Sequence, residues 1–147
     1  SIQWIFVAGK NKRLFQFLKD RLGGLKHVRI YGYSKHVAPF MDTADLLMTK
    51  PGGVTCTEAI RKELPLLLFP GLRGQEEKNS TFLLNHGMAE VISSEGTWAT
   101  MKQMLGNDYH LNYYRVNMKR YNRTFDQNKI VTLAGLLARG ENFRKML

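Results

Sequence analysis

Apolar residues along this chain switch between two spacings, and the switches mark a series of alternating elements. Residues 3–8, apolar from Trp4 to Ala8 and ended by Gly9, predict a buried strand. Over residues 10–22, Leu14, Phe17, Leu18 and Leu22 recur at helical spacing, and Gly23-Gly24 stops the helix. Residues 28–31 predict a second strand. A short helix follows at 36–43, with Val37, Phe40 and Met41 inward. Residues 46–49 predict a third strand, 55–62 a helix and 65–69 a fourth strand. Residues 75–85 read as a helix with Phe82 and Leu83 on its apolar side and Gly87 as a left-handed cap. Residues 88–92 predict a fifth strand. From Gly96 the pattern is wholly helical, over 97–105, 109–121 and 125–138.

Strands alternating with helices predict an α/β fold, a Rossmann-like parallel sheet with helices on both faces. At 147 residues the chain is one domain's worth, with an α/β core over 1–93 and a helical part over 94–147. Ligands of such folds bind beyond the carboxyl ends of the strands. Four loops lie at that edge: Gly9-Lys10-Asn11, Gly32-Tyr33-Ser34, Lys50 to Gly53, and Pro70 to Gly74.

The most informative is Thr49-Lys-Pro-Gly-Gly53, which leads from a strand into a helix. Two glycines at a helix start bare backbone N–H groups at the positive end of the helix dipole, where a phosphate fits. Glu58 follows within two helical turns, and its carboxylate suits a vicinal diol such as a ribose. Phosphate seat and diol acceptor together suggest a nucleotide. The competing explanation is a capping box, in which Thr55 caps the helix and Glu58 reaches back to its N–H. Gln75-Glu-Glu-Lys-Asn79 has two explanations as well. Glu76 and Glu77 compensate the dipole of a helix start, or Gln75, Glu76 and Asn79 present amides and a carboxylate to a hexose. Gln75 and Asn79 share one helix face. Lys10 and Arg73 either pair with phosphates or stand in solvent.

Net charge is +10, from 22 Lys and Arg against 12 Asp and Glu, which favours polyanionic partners without choosing among them. Cys56 is the only cysteine, so no internal disulfide forms; a reducing cytosol and a packing role for Cys56 are expected. The longest apolar run, 64–69, contains Pro65 and falls far short of the ~20 residues that span a bilayer. Any membrane role is peripheral on this reading. His27, His36, His86 and His110 show no metal spacing, and neither GxxxxGK[ST] nor GxGxxG occurs. Lys119, Arg120 and Arg123 with Tyr113, Tyr114 and Tyr121 make a basic, aromatic late stretch. It is a solvated helix face, a membrane-surface contact or, least favoured, a nucleic-acid contact.

These motifs together resemble the C-terminal domain of a GT-B glycosyltransferase. The likeness is to processive diacylglycerol glucosyltransferases and monogalactosyldiacylglycerol synthases, and more distantly to the peptidoglycan-precursor N-acetylglucosaminyltransferase. It runs over residues 7–92. It rests on Ala8-Gly-Lys-Asn11, Tyr31-Gly-Tyr33, Ala44-Asp-Leu46, Thr49-Lys-Pro-Gly-Gly53, Thr57-Glu-Ala59, Leu64-Pro65, Pro70-Gly71, Gly74-Gln-Glu-Glu77 with Asn79, and Gly87. The resemblance implies that Gly52, Gly53, Val54 and Thr55 cradle the diphosphate of a UDP-sugar and that Glu58 holds its ribose. Gln75, Glu76 and Asn79 would face sugar and phosphates, with Tyr33 to Val37 at the uracil and Lys10 and Arg73 as further phosphate contacts. The reaction implied moves a hexose to a lipid acceptor with inversion, without cofactor or essential metal, at the cytoplasmic face of the membrane. It also implies one more strand–helix unit ahead of Gln3, and an N-terminal domain that supplies the acceptor site and catalytic base. An alternative is a docking subunit that keeps the fold and grips a membrane or a partner protein.

Overall fold

The computed structural model describes residues 2–71, 73–92 and 96–124. They fall into two compact units, one running to Ala44 and the other starting at Asp45. The expected alternation of strands and helices is present, as parallel sheets with helices on both sides. The helix expected over 125–138 lies outside the described residues.

In the first unit, strand β1 (Trp4–Val7) pairs in parallel with β2 (Val28–Tyr31), and helix α1 (Lys12–Leu22) connects them. Asn11 caps α1, its Oδ1 accepting the Leu14 N–H at 2.9 Å. That gives Asn11 a structural task in the loop that sequence reading treated as a candidate site. The apolar stripe expected on α1 is present in a helix, but no α1 residue is fully buried, and Phe17 is exposed with Arg21 stacked over its ring. Phe15, outside that stripe, is the aromatic that approaches Gly32. Among the described residues of this unit, only Ala8, Val28 and Met41 are buried. So small a unit leaves much of its apolar surface uncovered. Helix α2 (Ala38–Thr43) starts two residues later than its apolar spacing implies, with Pro39 in its first turn. Phe40 packs its ring 4.6 Å from that of Tyr31.

The second unit carries the main core. Its sheet has the order β3 (Leu47–Thr49), β4 (Leu66–Leu68), β5 (Ala89–Val91), all parallel. β4 is central, and Leu66, Leu67 and Leu68 are wholly shielded from solvent. A strand covered on both faces reads as an uninterrupted apolar run, which is why 64–69 shows no alternation. Helix α3 (Gly53–Arg61) links β3 to β4, and α4 (Gln75–Asn85) links β4 to β5. Gly87 ends the α4 segment at φ +61°, and a side chain there would also run into Tyr113 and Asn117. Helices α5 (Thr97–Leu105) and α6 (Asp108–Thr124) pack together, and α6 also lies against α3. The Asn122 amide donates to the Ile60 carbonyl near the end of α3 at 2.8 Å. Tyr114 is buried and donates its hydroxyl to Glu90 on β5 at 2.8 Å. Burial and that carboxylate hold the phenol above its ordinary pKa.

Leu67→Ala is expected to destabilise the protein by about 2–5 kcal/mol, because it empties a site closed on every side. Val54→Ala, at a residue 86% exposed, is expected to change stability by less than about 0.5 kcal/mol. Urea unfolding of the two variants measures both values.

Candidate functional site

Parallel register sets strand ends beside one another. Thr49 at the end of β3 is the partner of Leu68 at the end of β4. The turns that follow, Lys50-Pro51-Gly52 and Phe69 to Gly74, therefore leave the sheet side by side. Close contact confirms it. A Cβ on Gly71 would lie 2.9 Å from Pro51 Cγ and 3.1 Å from Glu76 Cβ, so only glycine lets the two turns and the start of α4 approach this closely. The Asn79 amide on α4 donates to the Pro51 carbonyl at 2.8 Å, and Asn79 Oδ1 accepts from Gln75 Nε2 at 3.1 Å. Residues 51, 71, 75, 76 and 79 thus form one braced group in the second unit.

The brace holds the start of α3. Gly52 is its N-cap, in extended conformation at φ −75° and ψ 133°, and no side chain caps the helix. The carbonyl of Gly52 accepts the Cys56 N–H at 3.0 Å, which closes the first helical turn. The amides of Gly53, Val54 and Thr55 belong to the turn whose N–H groups a helix leaves without internal partners. The helix begins two residues before the expected start at 55. Thr55 therefore lies inside it, and the capping-box explanation is overturned: Gly52 holds the position that Thr55 would need. Glu58 is half-buried on α3, and its carboxylate makes no ion pair or side-chain hydrogen bond among the described residues. Lys50 and Arg73 are both exposed. Arg73 lies two residues ahead of Gln75, where α4 begins behind the glycine cap Gly74.

A cavity of about 260 Å³ opens between α3, α4 and α6, with Gly53, Cys56, Asn79, Phe82 and Tyr121 among its walls. Glu58 does not line it. With 3.6 residues per turn, Glu58 stands about a third of a turn around α3 from that wall. Cys56 is buried against it, and burial pushes its thiol from an ordinary 9.0 up to about 11. The thiol is protonated at neutral pH and donates a long hydrogen bond to the Lys50 carbonyl at 3.9 Å, which fits packing and not nucleophilic attack.

The first unit repeats the logic on its own. Val7 is the register partner of Tyr31, so the turns after β1 and β2 leave together. Lys10 Nζ sits 5.4 Å from the centre of the Tyr33 ring. Val37 is the N-cap of α2, and its carbonyl accepts from Phe40 and Met41. Sequence reading singled out Lys10, Tyr33 and Val37 but gave no pairing between them. It also missed the brace, since Asn79 and Pro51 are 28 residues apart.

Residues 1–130 match the glycosyltransferase family 28 C-terminal domain, and the chain belongs to that family. It is 31% identical over 135 residues to a processive diacylglycerol beta-glucosyltransferase of Bacillus licheniformis, covering 90% of this chain and 35% of that protein. A protein of the same name from Staphylococcus saprophyticus is 32% identical over 92 residues, 63% of this chain and 24% of its own length. The chain therefore spans between 24% and 35% of the length of these relatives. The crystal structure of WaaG, a glycosyltransferase involved in lipopolysaccharide biosynthesis, superimposes with a TM-score of 0.66 at 22% identity, over 92% of this chain and 37% of that one. The fold is that of the GT-B C-terminal domain, as the sequence motifs imply.

Gly71→Ala is expected to destabilise the protein by about 1–3 kcal/mol through crowding at Pro51 and Glu76, read by urea unfolding. Cys56 is expected to resist a thiol-specific disulfide reagent at pH 8 in the folded protein and to react at once when unfolded. Folding favours its protonated form, so the Cys56 contribution to stability is whole below pH 9 and is lost as pH rises toward 11. Rapid modification of the native thiol at pH 8 would contradict its burial.

Proposed function

We propose that this chain is the donor-binding half of a glycosyltransferase that moves a hexose from a UDP-sugar to a lipid acceptor. The observation that carries the reading is the start of α3: a glycine cap, no capping side chain, and a half-buried carboxylate farther along the same helix. On this reading the amides of Gly53, Val54 and Thr55, with Gly52 in the turn, take the diphosphate. Glu58 takes the ribose hydroxyls. Gln75 and Glu76 serve the sugar side, and Asn79 shapes the turn through Pro51 while its other atoms bond to Gln75. Arg73 would add positive charge near the phosphates.

Departure of UDP leaves negative charge on the β-phosphate oxygen that was bonded to the sugar. A fixed helix start carries roughly half a positive charge and needs no rearrangement to meet it. That is how this unit would lower the barrier without a metal ion. The acceptor site and the general base belong, on this proposal, to the rest of the longer enzyme, which its relatives' lengths support. An acceptor hydroxyl attacking from the face opposite the diphosphate inverts the anomeric carbon. Among the described residues no helix is long and apolar enough to cross a membrane. On this proposal the enzyme meets its lipid acceptor at the cytoplasmic surface of the membrane.

UDP is expected to bind with a dissociation constant between roughly 1 μM and 1 mM, the range of enzyme substrates. Glu58→Ala should weaken it about ten- to a hundredfold, the cost of a hydrogen bond to a charged group. Isothermal calorimetry with UDP, with UMP and with the variant measures this. Equal heats for wild type and Glu58→Ala would remove the ribose role, and no response to UDP would remove the proposal.

A further inference from the structure

Helix α6 has two opposite faces, and among the described residues one is buried while the other is exposed, with only the Tyr113 hydroxyl on it reaching back to the protein, beside Gly87. Leu111, Tyr114 and Met118 are buried at i, i+3 and i+7 and form the inner face. Tyr109, Asn112, Tyr113, Val116, Lys119, Arg120 and Arg123 are all exposed. At 100° per residue these seven fall within roughly 120° of the helix circumference, directly opposite the buried stripe. Tyr109 is 79% exposed, Tyr113 55% and Val116 36%. The arc spans about 21 Å along the axis.

Its composition is ordered. The first half carries Tyr109, Tyr113 and Val116 with one polar residue, Asn112, and the second half is cationic. No acidic residue falls within the arc. Asp108 sits at its margin, in the first helical turn. Among the described residues, two acids that bond to α6 face elsewhere: Glu90 accepts from Tyr114 on the buried side, and Asp45 pairs with Arg115 at 3.2 Å on the flank. The neighbouring helix α5 repeats the pairing of aromatic and cation, with Lys102 Nζ 5.1 Å from the centre of the exposed Trp98 ring.

We propose that the outer face of α6 is a docking surface for an anionic lipid bilayer. Tyrosine rings sit well at the headgroup level, with the ring toward the acyl boundary and the hydroxyl in water. Lysine and arginine meet the negative surface potential of anionic lipids, and the protein's +10 charge adds long-range attraction. A nucleic acid fits the same arc less well. Its phosphates would engage only the three cations at one end and leave Val116 and the tyrosines without apolar cover. The surface lies on α6 and does not depend on the nucleotide site on α3.

The test is flotation of the protein with vesicles of phosphatidylcholine alone and with 30% phosphatidylglycerol, repeated at high salt. Wild type should bind the anionic vesicles, release them as salt rises, and ignore the neutral ones. Lys119→Gln/Arg120→Gln/Arg123→Gln should bind about a hundredfold more weakly, since each cation contributes roughly fivefold near an anionic surface. Tyr109→Ser/Val116→Ser should also weaken vesicle binding while leaving UDP binding intact. Equal binding to both vesicle types, or full binding by the triple variant, would overturn the proposal. So would tighter binding to duplex DNA that Tyr109→Ser/Val116→Ser leaves unchanged, which would favour nucleic acid. UDP titration of the same wild-type sample separates a failure here from a failure of the donor-site reading.

Discussion

The Asn79 amide on the Pro51 carbonyl is the contact on which the arrangement of the second unit's site rests. A glycine pair at a helix start is cheap to bend, so the turn before α3 needs an external hold to keep its amides aimed one way. The bond to Asn79 supplies it from one side. The close fit of Gly71 between Pro51 and Glu76 supplies it from the other. Both reach back to β4, whose complete burial fixes where the two turns leave the sheet. Packing in the core is thus converted into the aim of a helix dipole at the surface.

That brace also gives Asn79 and Gln75 a division of labour. The Asn79 side chain has both its ends engaged, the amide by Pro51 and the oxygen by Gln75. Glu58 is the reverse case, a half-buried carboxylate with no ion pair among the described residues. Side chains that fix geometry are tied to protein, while a side chain with an unspent hydrogen-bonding capacity has a ligand's share left to give.

Much of the fold was legible in the sequence because period and punctuation agree with the structure. Residues 75–85 and 97–105 match α4 and α5 to the residue, and Gly87 has the positive φ expected of it. Strands came out a residue shorter at most ends, because apolar runs continue past the last ladder hydrogen bond. The start of α3 was placed two residues late because Thr55 and Glu58 have capping-box spacing, although the glycine pair marked the right turn. On α1, Phe17 follows the helical period yet faces solvent, because a unit with three buried apolar residues cannot cover every apolar side chain. Strand order, and the bond from Asn79 to Pro51, are set by contacts distant in sequence, and no spacing rule reports them. The family motifs located the candidate site; the structure showed which of its residues brace it.

The central claim is that the first amides of α3 grip a diphosphate, and backbone N–H chemical shifts followed by NMR during a UDP titration test it most directly. Bound UDP is expected to move the resonances of Gly53, Val54 and Thr55 farthest, with a smaller response to uridine, which lacks phosphate. Unmoved resonances at those three positions, alongside shifts elsewhere or none at all, would contradict it.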